Sequence, residues 1–295
     1  MTMNVPMALT DHRSVWTHLL RTPFTQGFVD AGGIRTRYVQ AGDRNAPAVV
    51  MIPGTASSWE SFCANIEAHA LHFNVLALDL VGSGFSDKPD RDYEIPVYVK
   101  HILAFMDAMG VRKASLIGVS LGAWIASRIA VDHPDRVEKL VLLAASGMIS
   151  HTQTMGRIRG TRTKAVDDPS WPNMQSVFEP LIYRPEDRID DIIAVRQAAY
   201  RQPEMRRAME HILCLQDPEI RARNLIAEDE WRGIQASALI VVAPDDSEMF
   251  FQTATRAAQL MPKAQTLEIR QVKHWPHFER PDLFNPASVA FLRGA

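Results

Sequence analysis

Cysteine is scarce: Cys63 and Cys214 are the only two in 295 residues. They lie far apart, with no CxxC pair and no zinc-type spacing, so a disulfide framework and a structural zinc site are both excluded. Long hydrophobic runs are missing too. No stretch reaches the roughly 18 apolar residues that a membrane-spanning helix needs. Charge of one sign is not in excess: 32 Lys and Arg against 34 Asp and Glu leave a formal net charge of −2. The basic residues are scattered, which excludes the electrostatic footprint of a nucleic-acid partner or an anionic membrane surface. The N-terminal segment carries Asp11, His12 and Arg13 and has neither the basic start nor the apolar run of a secretory signal. A cytoplasmic location is therefore expected. No HExxH, no Walker loop and no His/Cys cluster occurs, so neither metal nor cofactor is expected. Repeats and low-complexity segments are likewise missing. What remains is a globular chain whose partner is a small molecule, with a homo-oligomer left open.

Apolar content, at 46%, suffices for one large core or a core with an inserted subdomain. Ala48–Ile52, Asn74–Leu80, Ser115–Val119 and Lys139–Leu143 are short β-branched or leucine-rich runs bounded by Gly, Pro or Asp, and read as buried strands. Between two of them Val99, Ile102, Leu103, Met106 and Met109 recur at helical spacing, placing one apolar helix face against a sheet. A second helical run follows Ser120 and stops at Pro134. This alternation predicts an α/β chain with a mainly parallel, doubly wound sheet. Residues 147–232 show no strand pattern, being rich in charge, Met and helix formers. They predict a helical cap inserted into a core formed by 1–146 and 233–295. The strand pattern returns at Ala238–Ala243 and at Thr266–Arg270.

Gly118-Val119-Ser120-Leu121-Gly122 matches G-x-S-x-G directly after a buried strand and before a helix. A strand-to-helix turn this tight needs glycines two before and two after the serine, and it holds the hydroxyl out above the strand's carboxyl end. An ordinary turn with Ser120 as helix N-cap is the plainer reading. A serine hydroxyl needs a base, and the base needs an orienting anion. Strand Ala238–Ala243 leads into Pro244-Asp245-Asp246-Ser247, where Asp246 is the chosen acid and Asp245 a turn residue. His274, in a loop after the last predicted strand, is the chosen base, with His277 as competitor. The oxyanion hole takes the N–H of Leu121, the residue after the nucleophile, and a second N–H from the loop Pro53–Trp59. Gly54 permits close approach there, so Thr55 or Ala56 is the donor. Gly82-Ser83-Gly84 also follows a strand, but position 87 is Asp87 where a dinucleotide fingerprint has its third glycine.

With these residues in place, the chain resembles α/β-hydrolases. The run Asp79 to Pro89, the elbow, Asp246 and the pair His274-Trp275 carry the likeness, together with the segments Tyr183 to Glu204 and Asp282 to Arg293. It is most similar to the meta-cleavage-product hydrolases of aromatic degradation, which split a carbon–carbon bond in 2-hydroxy-6-oxohexa-2,4-dienoate-type compounds. The resemblance implies an α/β-hydrolase fold with a cap, a Ser120–His274–Asp246 triad, and Arg196 gripping the substrate carboxylate through paired hydrogen bonds. Trp275, Gly54 and Val119 fall at substrate-contact positions. The chain departs from the family pattern at Pro53, usually His, at Val119, usually Asn, and at Ala123, usually Gly. Met155, Trp171, Met174, Phe178 and Ile182 are candidates to line the pocket or to pack beneath it. A carboxylesterase with the same triad and a non-catalytic binder on the same scaffold are the rival readings. A haloalkane dehalogenase is excluded, because its nucleophile is a carboxylate and position 120 is Ser.

Overall fold

The β-branched runs meet in one sheet, because each is apolar on both faces and needs helices on either side. The structure, a computed structural model, describes residues 13–294. Its eight strands are β1 (Phe24–Asp30), β2 (Arg35–Ala41), β3 (Ala48–Ile52), β4 (Asn74–Leu78), β5 (Ala114–Val119), β6 (Val137–Leu143), β7 (Ser237–Val242) and β8 (Ala264–Glu268). The sheet order is β1-β2-β4-β3-β5-β6-β7-β8. From β4 to β8 every pairing is parallel; β1–β2 and β2–β4 are antiparallel. Strands β3 to β7 are almost wholly buried, which is why their apolar runs are continuous.

Three strands depart from the sequence pattern. No apolar run marks the hairpin β1–β2, because β1 is a half-exposed edge and alternates with water. The last strand, expected at Thr266–Arg270, begins and ends two residues earlier and is also half-exposed. The helices match better: Ile95–Ala108 and Leu121–Asp132 occupy the two predicted stretches. Between β6 and β7 the chain forms helices Thr152–Asp167, Trp171–Phe178, Asp190–Tyr200, Met205–Ile212, Pro218–Asn224 and Glu228–Gly233, and no strand. Backbone bonds tie this helical segment to the rest: Tyr93 N–H donates to His211 O at 3.2 Å, and Trp275 N–H to Leu181 O at 3.1 Å.

Parallel strands put their carboxyl ends on one edge of the sheet. The loops after β3, β5, β7 and β8 therefore bring Gly54, Ser120, Asp246 and His274 to a common edge from four distant stretches of chain. Beside them, Asp79 follows β4 and holds the neighbouring turn. It accepts from Arg37 Nε at 2.7 Å, Trp59 N–H at 2.9 Å and Phe85 N–H at 2.9 Å. Gly84 has φ +54°, and a Cβ there would overlap the Asp79 carboxylate. The Gly82-Ser83-Gly84 turn is thus packing around a buried acid.

The fold makes three imidazoles neutral. Burial, the largest cause, pulls His69 down to about 4 and His101 and His277 down to about 3 from 6.5. His101 Nδ1 accepts from Val81 N–H at 3.2 Å, a role open to an uncharged ring. Below the ordinary value of 6.5 the unfolded chain takes up protons that the fold refuses, so the stability these rings contribute is lost as pH falls towards 3. Glu60 and Glu279 oppose this, since burial raises both from 4.5 to about 7 and the fold keeps protons that the unfolded chain releases. From pH 6.5 to 4.5 the two effects oppose and one net proton remains; below 4.5 both states hold the carboxyl protons, and below about 4, where His69 charges in the fold, only His101 and His277 count. Unfolding free energies from urea titrations should fall by about 1.4 kcal/mol per pH unit between pH 6.5 and 4.5 and by about 3 kcal/mol per unit below pH 4, the weights of one and of two protons. A flat response there would contradict neutral core histidines.

Candidate active site

Ser120 sits where β5 turns into helix Leu121–Asp132, with φ 56° and ψ −114°. That conformation is strained for a residue with a side chain, at about 1–3 kcal/mol, and persists because its surroundings fix it. Ser120 N–H donates to Leu143 O at 2.9 Å. Its carbonyl accepts from Trp124 N–H at 3.0 Å and from Ser146 Oγ at 2.9 Å. The flanking glycines are required by space: a Cβ at Gly118 would overlap the carbonyl of Gly122, and one at Gly122 the carbonyl of Ile52. Gly122→Ala should therefore unfold the elbow, lowering stability by about 4 kcal/mol or more. Gly156→Ala, on the exposed side of helix Thr152–Asp167 with nothing near its Cβ, should raise it by about 1 kcal/mol. Thermal melts of the two variants check both signs.

Asp246 and His274 are brought together. His274 Nδ1 lies 2.9 Å from Asp246 Oδ2, and both side chains are nearly buried. A carboxylate at Nδ1 places the ring proton there and leaves Nε2 as the basic nitrogen. Ser247 N–H donates to the other oxygen of Asp246 at 2.6 Å, and the Phe250 ring stands edge-on to the imidazole at 4.3 Å. The loop itself is clamped by Glu279, which accepts from Lys273 N–H at 2.8 Å and Tyr183 N–H at 2.5 Å. The competitors are elsewhere. Asp245 is exposed and accepts from Gln271 N–H at 2.8 Å, while His277 is buried and donates Nε2–H to Ser61 O at 3.1 Å.

Ser120, Asp246 and His274 line one cavity of about 600 Å³. Neither Ser120 Oγ nor His274 Nε2 makes a hydrogen bond there among the described residues. Such pairs commonly close only around substrate. Gly54 and Thr55 also line the cavity; Ala56 is buried behind it with φ 51°. A Cβ at Gly54 would stand 3.4 Å from both Ser120 Cβ and Val119 O, so the loop approaches the elbow as closely as its glycine allows. Leu121 opens its helix, where the N–H has no intrahelical acceptor and the dipole is positive. Val119 lies inside the core and off the cavity wall.

Arg196 and Trp275 are on that wall. Arg196 is 3% exposed, donates Nη2–H to Ser57 Oγ at 2.7 Å, and leaves Nη1 without a partner. Its guanidinium lies 4.9 Å from the Phe178 ring centre and 5.8 Å from that of Trp275. Burial is the largest cause pulling its pKa from 12.5 to about 10. Arg162, also buried with its pKa lowered by burial, and Arg157 complete a basic lining in which Asp246, paired with His274, is the one acid among the described residues. Sequence reasoning missed Arg157, Arg162, Ser57 and Phe250. Arg157, Thr161 and Arg162 share one helix face, a signal that existed; Phe250 and Ser57 gave none. Met174, Phe178 and Ile182 are core residues and do not line the cavity.

The sequence model of the α/β hydrolase fold matches residues 47–281. The chain belongs to this family. As an α/β hydrolase it is an enzyme, and its relatives narrow the comparison. It is 27% identical over 259 residues to 2-hydroxy-6-oxo-2,4-heptadienoate hydrolase of Pseudomonas putida, covering 85% of this chain and 90% of that one. It is 26% identical over 274 residues to 2-hydroxymuconate semialdehyde hydrolase of a Pseudomonas species, covering 90% and 93%. Among solved structures, the meta-cleavage product hydrolase of Pseudomonas fluorescens superposes with a TM-score of 0.80 at 25% identity, covering 91% of this hydrolase and 97% of that one. Among the described residues no helix of this α/β hydrolase is long and apolar enough to cross a membrane.

Proposed function

We propose that this hydrolase cleaves the carbon–carbon bond of a vinylogous 1,5-diketone carboxylate of the 2-hydroxy-6-oxohexa-2,4-dienoate type, with Ser120 as nucleophile, His274 as base and Asp246 as its orienting acid. Arg196 carries the substrate class. A buried guanidinium with one free nitrogen, facing a cavity with no unpaired acid, wants an anion, because an uncompensated buried charge costs several kcal/mol. A carboxylate supplies it and offers two parallel acceptors. The names of the relatives point the same way.

In this reading the dienol is ketonised in the cavity, giving up its C2 hydroxyl proton and taking one at C5. Ser120 Oγ, losing its proton to His274 Nε2, attacks the C6 ketone. The N–H groups of Leu121 and of Thr55 or Ala56 receive the oxyanion, each worth about 3 kcal/mol. Thr55 is favoured of the two, since Ala56 stands behind the wall. The C5–C6 bond then breaks, its electron pair passing into the conjugated dienolate, which takes the proton from His274. Water, deprotonated by His274, frees the acyl group from Ser120 as a carboxylic acid. The helical segment 147–232 serves as the cap, since Arg196, Arg162 and Leu181 come from it. The chemistry draws on the chain's own residues, with a small molecule as partner.

A second reading, carboxylesterase action on small esters with the same three residues, is favoured by Pro53, which stands before the oxyanion glycine where the resembled family usually has His. The decision comes from parallel assays of a yellow ring-fission dienoate and of p-nitrophenyl butyrate. The expected result is bleaching of the dienoate with a kcat/KM above that for the ester. Rapid ester turnover with the dienoate untouched would replace the first reading by the second.

A further inference from the structure

A second cavity, of about 350 Å³, shares Ser120, Thr55, Ile158 and Phe250 with the first and extends instead to Trp124, Gln216 and Arg221. A substrate whose reacting carbonyl sits at Ser120 has two halves, and two cavities meet there. If Arg196 holds the dienoate half, as proposed above, the acyl half enters the second cavity. For a plain alkyl or aryl acyl group that cavity should be apolar throughout. Instead its wall includes Arg221, 3% exposed.

Among the described residues this guanidinium has no acid beside it. Burial alone pulls its pKa from 12.5 to about 10. Nη1 reaches Leu215 O at 3.4 Å, Nη2 reaches Ile149 O at 3.1 Å and Met249 Sδ at 3.8 Å, and Nε has no partner. The Trp124 ring, 4.8 Å away, stacks against the cation without neutralising it. Among the described residues the cavity wall contains no Asp or Glu. Gln216, on the same wall, has its buried Oε1 without a partner, and turning the amide over puts an N–H₂ in that position. Neutral carbonyls hold the guanidinium in place; they do not supply the missing negative charge.

We propose that the acyl half of the substrate ends in a carboxylate bound by Arg221 and Gln216, so that this hydrolase selects dianions anchored at both ends. The acid released by hydrolysis is then a dicarboxylate. The inference rests on the carbon–carbon hydrolase reading, and the test separates the two.

The substrates to compare are 2-hydroxy-6-oxonona-2,4-diene-1,9-dioate and the neutral-tailed 2-hydroxy-6-oxonona-2,4-dienoate. The wild-type enzyme should favour the dianion in kcat/KM by at least about tenfold, the weight of one hydrogen bond to a charge. In Arg221→Met that preference should collapse towards one, and Arg221→Lys should restore part of it. Succinate should also inhibit the wild type at least about tenfold more strongly than butyrate, a reading that needs no folded variant. Equal or better cleavage of the neutral tail by the wild type, with succinate no better than butyrate, overturns the dianion proposal and leaves the hydrolase reading standing. Failure to cleave either dienoate overturns both.

Discussion

Ser120→Ala should lower kcat on a ring-fission dienoate by about 10⁵- to 10⁶-fold, the scale on which a nucleophile that works as a unit with its base is lost. The effect is large because the covalent step has no substitute at this position. Among the described residues lining the cavity, the hydroxyl groups besides Ser120 belong to Ser57, Thr55 and Thr161; Ser57 is already engaged by Arg196, and none sits at the turn opposite His274. The strained φ of 56° at position 120 is kept by the elbow's glycines and by the bonds to Leu143 and Ser146, so alanine should fold there without disturbing its neighbours. Binding should survive. The dienoate's visible band, titrated against the variant, should still report a saturable complex, with a Kd close to the wild-type KM if chemistry limits turnover. Residual turnover within about tenfold of wild type would mean that water, and not this hydroxyl, attacks first.

Arg196→Leu should cost the dienoate about 10³-fold in kcat/KM, the loss expected when one partner of a desolvated charge pair is removed. The replacement keeps the apolar stem between Phe178 and Trp275 but gives up the bond to Ser57 and the free Nη1. An ester without a carboxylate should lose far less, so the ratio of the two losses, dienoate over p-nitrophenyl butyrate, should be about 10² or larger. Added guanidinium chloride at millimolar concentration should recover part of the dienoate rate if the cavity accepts the missing group. Parallel losses on both substrates would reduce Arg196 to a packing residue and remove the main support for a carboxylate-bearing substrate.

The core of this fold is written plainly in its sequence because the parallel strands are buried on both faces. Val49 to Ile52, Leu116 and Ile117, Leu140 to Leu143 and Ala238 to Val241 are apolar without interruption, and each run ends where a loop must leave the sheet. The edges are not so written. β1 pairs on one side only and faces water, so no apolar run marks it, and at the opposite edge β8 shows its strand pattern only with bounds displaced by two residues. The triad candidates were readable for a related reason: chain order and strand ends are local properties, and topology converts them into a common edge. Asp246 and Asp245 differ in sequence by position alone; the structure puts Asp246 Oδ2 2.9 Å from His274 Nδ1 and leaves Asp245 exposed. The cavity walls were far less readable. Arg221 and Gln216 stand beside Ser120 only because helices from the inserted segment are laid across the sheet, and no local periodicity encodes that placement. Val119 shows the opposite limit: the family resemblance implied substrate contact, but its side chain is buried in the core along β5.

The account stands most directly on the reactivity of one hydroxyl. Folded enzyme treated with a fluorophosphonate probe and mapped by peptide mass should carry a single adduct on Ser120, approaching one per chain, and His274→Ala should slow its formation by orders of magnitude. An unlabelled Ser120 in folded wild-type enzyme, or labelling that ignores the loss of His274, would contradict it.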